Sequence, residues 1–180
     1  GADTNPAAKD PLPLAGLPSK HFKRVSQFCF YSDFELRKDH PFFKEIGEHR
    51  ERVYRELRLP PSNTDVFVYV FEDKETYDQF LQRQHPQLPE RRAFFVAQAM
   101  RRGKSEDLMV YTYWSDAIQK DLRHELTHAM LHSVLKGVPL WLDEGLAEFF
   151  ELPVAQNGDN PKHVDNVRQA GARPDLNRLE

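Results

Sequence analysis

His124 and His128 stand four residues apart with Glu125 beside the first of them, and Glu144 follows sixteen residues after His128. On a helix, positions i and i+4 project from one face about one turn apart, near enough for two imidazoles to share one cation. A carboxylate brought to the same point supplies a third ligand. Zinc in hydrolytic sites takes three protein ligands of this kind and leaves a fourth position for water. Glu125 is then the residue placed to take a proton from that water and pass it to a leaving amine. Ligating imidazoles also need partners that hold their far nitrogens. Glu148, four residues after Glu144 on the same helical face, is the first candidate for that duty, and Asp143 is the second.

Two helices must position these groups. The first is expected to start near Ser115-Asp116, both good N-cap types, and to run through Leu122, Leu126, Met130 and Val134 to a left-handed cap at Gly137. Pro139 suits the first turn of a second helix that carries Glu144. So short a connection folds the helices against each other and returns Glu144 toward the two histidines.

Upstream, the aromatic segment His21 to Ser32 reads as a first strand, and Pro41 opens a helix that Pro60-Pro61 stops. The unbroken apolar run Val66 to Phe71 reads as a strand buried on both faces. Asp73 can cap a short helix presenting Tyr77, Phe80 and Leu81. Ala93 to Met100 and Leu108 to Trp114 flank the polar turn Arg101 to Ser105 as two antiparallel strands. This order predicts an α+β domain with a small mixed sheet, some of it parallel. A peptide can be anchored by adding to an exposed strand edge, and Leu108 to Trp114 is the strand nearest the site in sequence.

Residues 1–20, with four prolines, read as an extended tail; 21–152 form the domain; 153–180 are polar, proline-broken and irregular, with at most a short helix at 164–170, and their ending is compatible with truncation. Composition narrows the function. With 39% hydrophobic residues and thirteen phenylalanines the chain can bury a sizeable core, and 25 basic against 28 acidic residues, without a basic run, argue against nucleic acid as a partner. Cys29 is the sole cysteine, which excludes an internal disulfide and a thiolate zinc site. No apolar run approaches bilayer length, and the Gly-Ala-Asp start reads as a trimmed terminus, so an extracytoplasmic location is expected.

The segments His124-Glu125-Leu126-Thr127-His128 and Trp141-Leu142-Asp143-Glu144-Gly145-Leu146-Ala147-Glu148 resemble the gluzincin group of zinc metallopeptidases, and most of all its peptidase MA-like domains. The resemblance covers about 30 residues, Leu122 to Glu151. It implies a zincin fold whose edge strand lies over a cleft, zinc on His124, His128 and Glu144, Glu125 as general base, and hydrolysis of a peptide or protein substrate. Better-known branches of the group also use a Tyr or His beyond the glutamate ligand to stabilise the oxyanion. Here no tyrosine follows Glu144 and His163 is the one downstream histidine, so Tyr113 and Tyr111 are the upstream candidates. The 15-residue gap between His128 and Glu144 is shorter than in those branches, so their exopeptidase or endopeptidase preference does not transfer.

Blander roles compete at most other positions. His132 reads as a cleft-wall residue, because one helix cannot wrap three ligands around one ion. Glu148 and Glu151 can be solvated helix charges, Arg91-Arg92 solvated loop charges, and Cys29 a small buried hydrophobe. Two functional alternatives stay open beside the peptidase: a zincin-like metal- or protein-binding module without turnover, and a zinc hydrolase of non-peptide substrates.

Overall fold

The computed structural model describes residues 15–37, 39–99, 106–156 and 165. Its first aromatic segment is two strands rather than one. Ser26 takes a left-handed backbone, φ 55°, and the chain reverses there, pairing β1 (His21–Val25) antiparallel with β2 (Phe28–Ser32). Neither Gly nor Asn marks that turn, so the sequence carries no signal for it.

The following elements obey their local chemistry. Helix α1 (Pro41–Glu56) opens on its proline, with His40 Nδ1 accepting from the Phe42 N–H at 3.2 Å. All six residues of β3 (Val66–Phe71) are buried. Asp73 caps α2 (Lys74–Gln84) by accepting from the Thr76 N–H at 2.8 Å. Strands β4 (Ala93–Ala99) and β5 (Glu106–Tyr113) pair antiparallel; their connecting turn, 101–105, lies outside the described residues.

Strand order is β1-β2-β3-β5-β4, with β2, β3 and β5 parallel and the two outer pairs antiparallel. The protein is therefore α+β, a five-stranded mixed sheet with four helices. One expectation changes here. β5 is paired on both sides, so the strand nearest the motif in sequence has no free edge; among the described residues β4 is an outer strand.

Period-2 alternation divides the core between the two sheet faces. Phe28, Phe30, Val66, Val68, Val70, Leu108 and Val110 pack under α1 and α3 (Ile118–Val134), while Cys29, Phe67, Tyr69, Phe71, Met109 and Tyr111 pack under α2. The expected caps at Ser115 or Asp116 do not form: the N-cap is Ala117, without a side-chain bond. A lost cap costs about 1 kcal/mol. Leu122 and Leu126, both fully buried, each contribute about 1.5–3 kcal/mol, so packing decides where α3 lies.

Helix α3 ends at Val134, three residues before Gly137, which does take the left-handed backbone, φ 72°, inside the connection. Helix α4 (Leu140–Phe150) then follows Pro139 and packs on α3. A 3₁₀ turn spans Val154–Gln156. Of the helix expected over 164–170 only Asp165 is described, and His163 lies outside the described residues.

Candidate metal centre

Leu122, Leu126, Ala129 and Met130 turn toward the sheet, which leaves His124, His128 and His132 on the flank of α3 that meets α4 and β4. Helix α4 presents Asp143 and Glu144 to the same flank. The local spacing of the motif thus becomes a cluster only because α4 packs back on α3.

Three donor atoms converge. His124 Nε2 and His128 Nε2 are 3.2 Å apart, and Glu144 Oε2 lies 3.6 Å from the first and 3.8 Å from the second. Ligands about 2.0–2.1 Å from one zinc at tetrahedral angles stand about 3.3 Å from each other, so the set is close to closed around an ion of that size. Among the described residues this is the group able to hold a metal ion.

Behind each imidazole stands a carboxylate. Glu151 Oε2 meets His124 Nδ1 at 3.0 Å, and Asp143 Oδ1 lies 2.9 Å from His128 Nδ1. The second pair is close but out of line for a formed hydrogen bond, and both atoms are buried without a hydrogen-bond partner. A carboxylate can only accept, so a neutral His124 ring carries its proton on Nδ1 and points the Nε2 lone pair inward. Two Nε2 atoms 3.2 Å apart with a carboxylate beside them favour a positive charge between them, either a proton that one ring donates to the other or a bound cation. With Glu144 the two imidazoles form a group that could hold a metal ion.

The electrostatics agree. Burial works against a charge on His124, but the Glu151 hydrogen bond and the carboxylates of Glu125, Glu151 and Glu144 outweigh it and raise its pKa. Burial pushes Glu151 up, yet its bonds to His124 and Lys120 prevail and hold it below the usual carboxylate range. Glu125 goes the other way: burial raises its pKa, and the opposing pull of His124, His128, the Phe95 N–H and Arg91 is insufficient. A carboxylate shifted upward is a better proton acceptor, the property a general base requires.

Several residues stand elsewhere than expected. Tyr111 is fully buried on the α2 face of the sheet, its hydroxyl donating to Met109 Sδ at 3.2 Å, so it does not reach the cluster. Tyr113 belongs to that face too, with its ring 5.2 Å from Tyr77. Both point away from α3 because residues two apart on a strand share a side. Glu148 is exposed, and Glu151 holds the position foreseen for it. The signal was available: seven residues are nearly two helical turns, so Glu151 shares the face of Glu144 as four residues do.

Arg92 is not a free loop charge but clamps Asp121 with two bonds of 2.8 and 2.7 Å, tying the entry of β4 to α3. Arg123 donates to the Glu151 carbonyl at 2.7 Å and pairs with Glu45, so α1 braces the same corner. A cavity of about 860 Å³ opens beside that brace, between α1 and the segment after α4, but no member of the cluster lines it. The chemistry and the cavity are separate features.

No family model matches the chain, and no curated protein matches it either.

Proposed function

We propose that the protein is a zinc-dependent peptidase of the gluzincin kind, with a zincin-like fold in which α3 and α4 carry the ligands His124, His128 and Glu144. The observation that carries this reading is the inward convergence of two imidazole nitrogens and one carboxylate oxygen, each ring backed by a carboxylate. Two imidazoles and one carboxylate suit zinc, and no thiolate is near. Zinc bound there supplies Lewis acidity, polarising a carbonyl and acidifying water.

The chain's own residues do the rest. Glu125, raised in pKa by burial and held by the Phe95 N–H, accepts the proton of the attacking water and returns it to the departing amine nitrogen. His124 and His128 are oriented from behind by Glu151 and Asp143. Glu144, with 43% of its side chain exposed, marks the open side of the cluster, where a substrate carbonyl approaches. Among the described residues β4 is an outer strand of the sheet, and its Phe95 ring lies beside His128, which is where an extended peptide added to that edge would run.

Purified protein is tested for zinc content after metal-replete preparation and for cleavage of an unbiased peptide library, beside Glu125→Gln. The expected result is one zinc per chain in both proteins, with cleavage falling roughly 10²–10⁴-fold in the variant. A chain that takes up no zinc, or a Glu125→Gln protein that cleaves as well as its parent, overturns the reading.

A second reading has one observation in its favour. Tyr111 is turned into the opposite core and Tyr113 lies on that same side, so neither serves as an oxyanion donor. A metal-holding module without turnover fits that deficit. Full zinc occupancy without cleavage of any library member selects it.

A further inference from the structure

We infer that His132 is a positioning residue of this centre, fixing His128 through the shared carboxylate of Asp143. The inference rests on the zinc reading above and extends it to a histidine outside the ligand set. Asp143 faces both rings: Oδ2 is hydrogen-bonded to His132 Nε2 at 3.0 Å, and Oδ1 lies 2.9 Å from His128 Nδ1 in an ion-pair contact without hydrogen-bond alignment. The carboxylate is 8% exposed, so water cannot readily replace a lost partner. It also sits in the first turn of α4, where the helix end favours a negative charge.

His132 cannot be a ligand to the same ion. It follows His124 by eight residues of helix, a rise of about 12 Å, too far for one α3 flank to wrap three donors around a point. Its Nε2 instead faces a group that only accepts, so Nε2 carries the proton and donates it. Phe95 of β4 closes the arrangement: its ring lies against both imidazoles, centroids 6.1 Å from His128 and 5.1 Å from His132. Asp143 is thus gripped on one oxygen and offers the other at a set angle. Without the grip the carboxylate is free to turn, and the lone pair of His128 loses its aim. His124 is untouched, because Glu151 holds it from the far end of α4.

The test measures zinc affinity of the purified chain by chelator competition for the parent, His132→Leu, His132→Gln, Asp143→Ala and the double variant His132→Leu with Asp143→Ala. Circular dichroism checks that each is folded, and His132, with 28% of its side chain exposed, has room for either replacement. His132→Leu is expected to weaken zinc binding about tenfold, the lower end of the loss typical when the partner of a ligating histidine is removed. Glutamine keeps an N–H near the same place and should stay within about threefold of the parent, while in the Asp143→Ala background His132→Leu should cost no more than about twofold further.

Unchanged affinity in His132→Leu, equal losses in Leu and Gln, or full additivity with Asp143→Ala each overturns the inference while leaving the metal site standing. A parent chain that binds no zinc overturns both. Independent of any variant, nitrogen NMR of the unsubstituted protein should find His132 protonated at Nε2, and a ring protonated only at Nδ1 excludes the proposed donor.

Discussion

Glu151 meets His124 Nδ1 at 3.0 Å although seven residues separate it from the candidate ligand Glu144, and its other oxygen is held 3.0 Å from Lys120 Nζ. The C-cap residue of α4 therefore orients the first imidazole of the motif. Glu151→Gln, which keeps the shape but weakens acceptance, is expected to lower zinc affinity roughly 10–100-fold in chelator competition. Glu148→Gln, on the exposed face, should bind zinc as the parent does. Equal effects of the two substitutions would show that the contact carries no orientation.

Tyr111 provides a negative control for the chemistry. Its hydroxyl is spent on Met109 Sδ in the core beneath α2. Tyr111→Phe should leave kcat/KM for any cleaved peptide within about twofold and lower stability by only about 0.5–1.5 kcal/mol, the net worth of one buried hydrogen bond. A fall in turnover of more than about tenfold, beyond the few-fold effect of a remote packing change, would return the hydroxyl to the reaction.

His49 makes folding sensitive to acid. Its Nε2 donates to Thr127 Oγ1 at 3.1 Å, and Thr127 in turn donates to the Arg123 carbonyl at 2.7 Å. Burial first, then the nearby charges of Arg123 and Arg52, push its pKa down to about 3 from the ordinary 6.5. As pH falls below 6.5 the unfolded chain takes up this proton before the folded one does. Stability is complete above that value and drops by up to about 1.4 kcal/mol per pH unit until the pH reaches about 3. Urea titrations of the metal-free parent and of His49→Leu should differ in slope across this window. Parallel pH profiles would mean that His49 is not buried neutral.

Cys29, fully buried and with its thiol pushed up to about 11 by desolvation, reports global unfolding. At pH 8 a thiol reagent should label it only as fast as the protein opens, and fully once denaturant is added. Rapid labelling of the native chain would contradict the packing between β2 and its neighbours.

Much of this structure was legible because it depends on neighbours in sequence. The pitch of a helix alone puts His124 and His128 on one face, the run Val66 to Phe71 announces a fully buried strand, and Pro41 and Asp73 open their helices as their side-chain chemistry dictates. Two elements departed from their local cues. The turn at Ser26 has neither the Gly nor the Asn that favours a left-handed backbone, and α3 starts at Ile118 without the caps that Ser115 and Asp116 offered. Burial of Leu122 and Leu126 outweighs a cap, and burial is not a local property.

By itself the sequence determined the candidate ligand types, their helical spacing and the return of a carboxylate through a short connection. Tertiary structure alone decided that Glu151 rather than Glu148 backs His124, that Asp143 is shared by His128 and His132, that β4 rather than β5 is an outer strand, and that Tyr111 faces the other core. The division has one cause. Periodicity within an element follows from backbone geometry, whereas the roll of one helix on another and the order of strands in a sheet follow from packing among residues far apart in the chain.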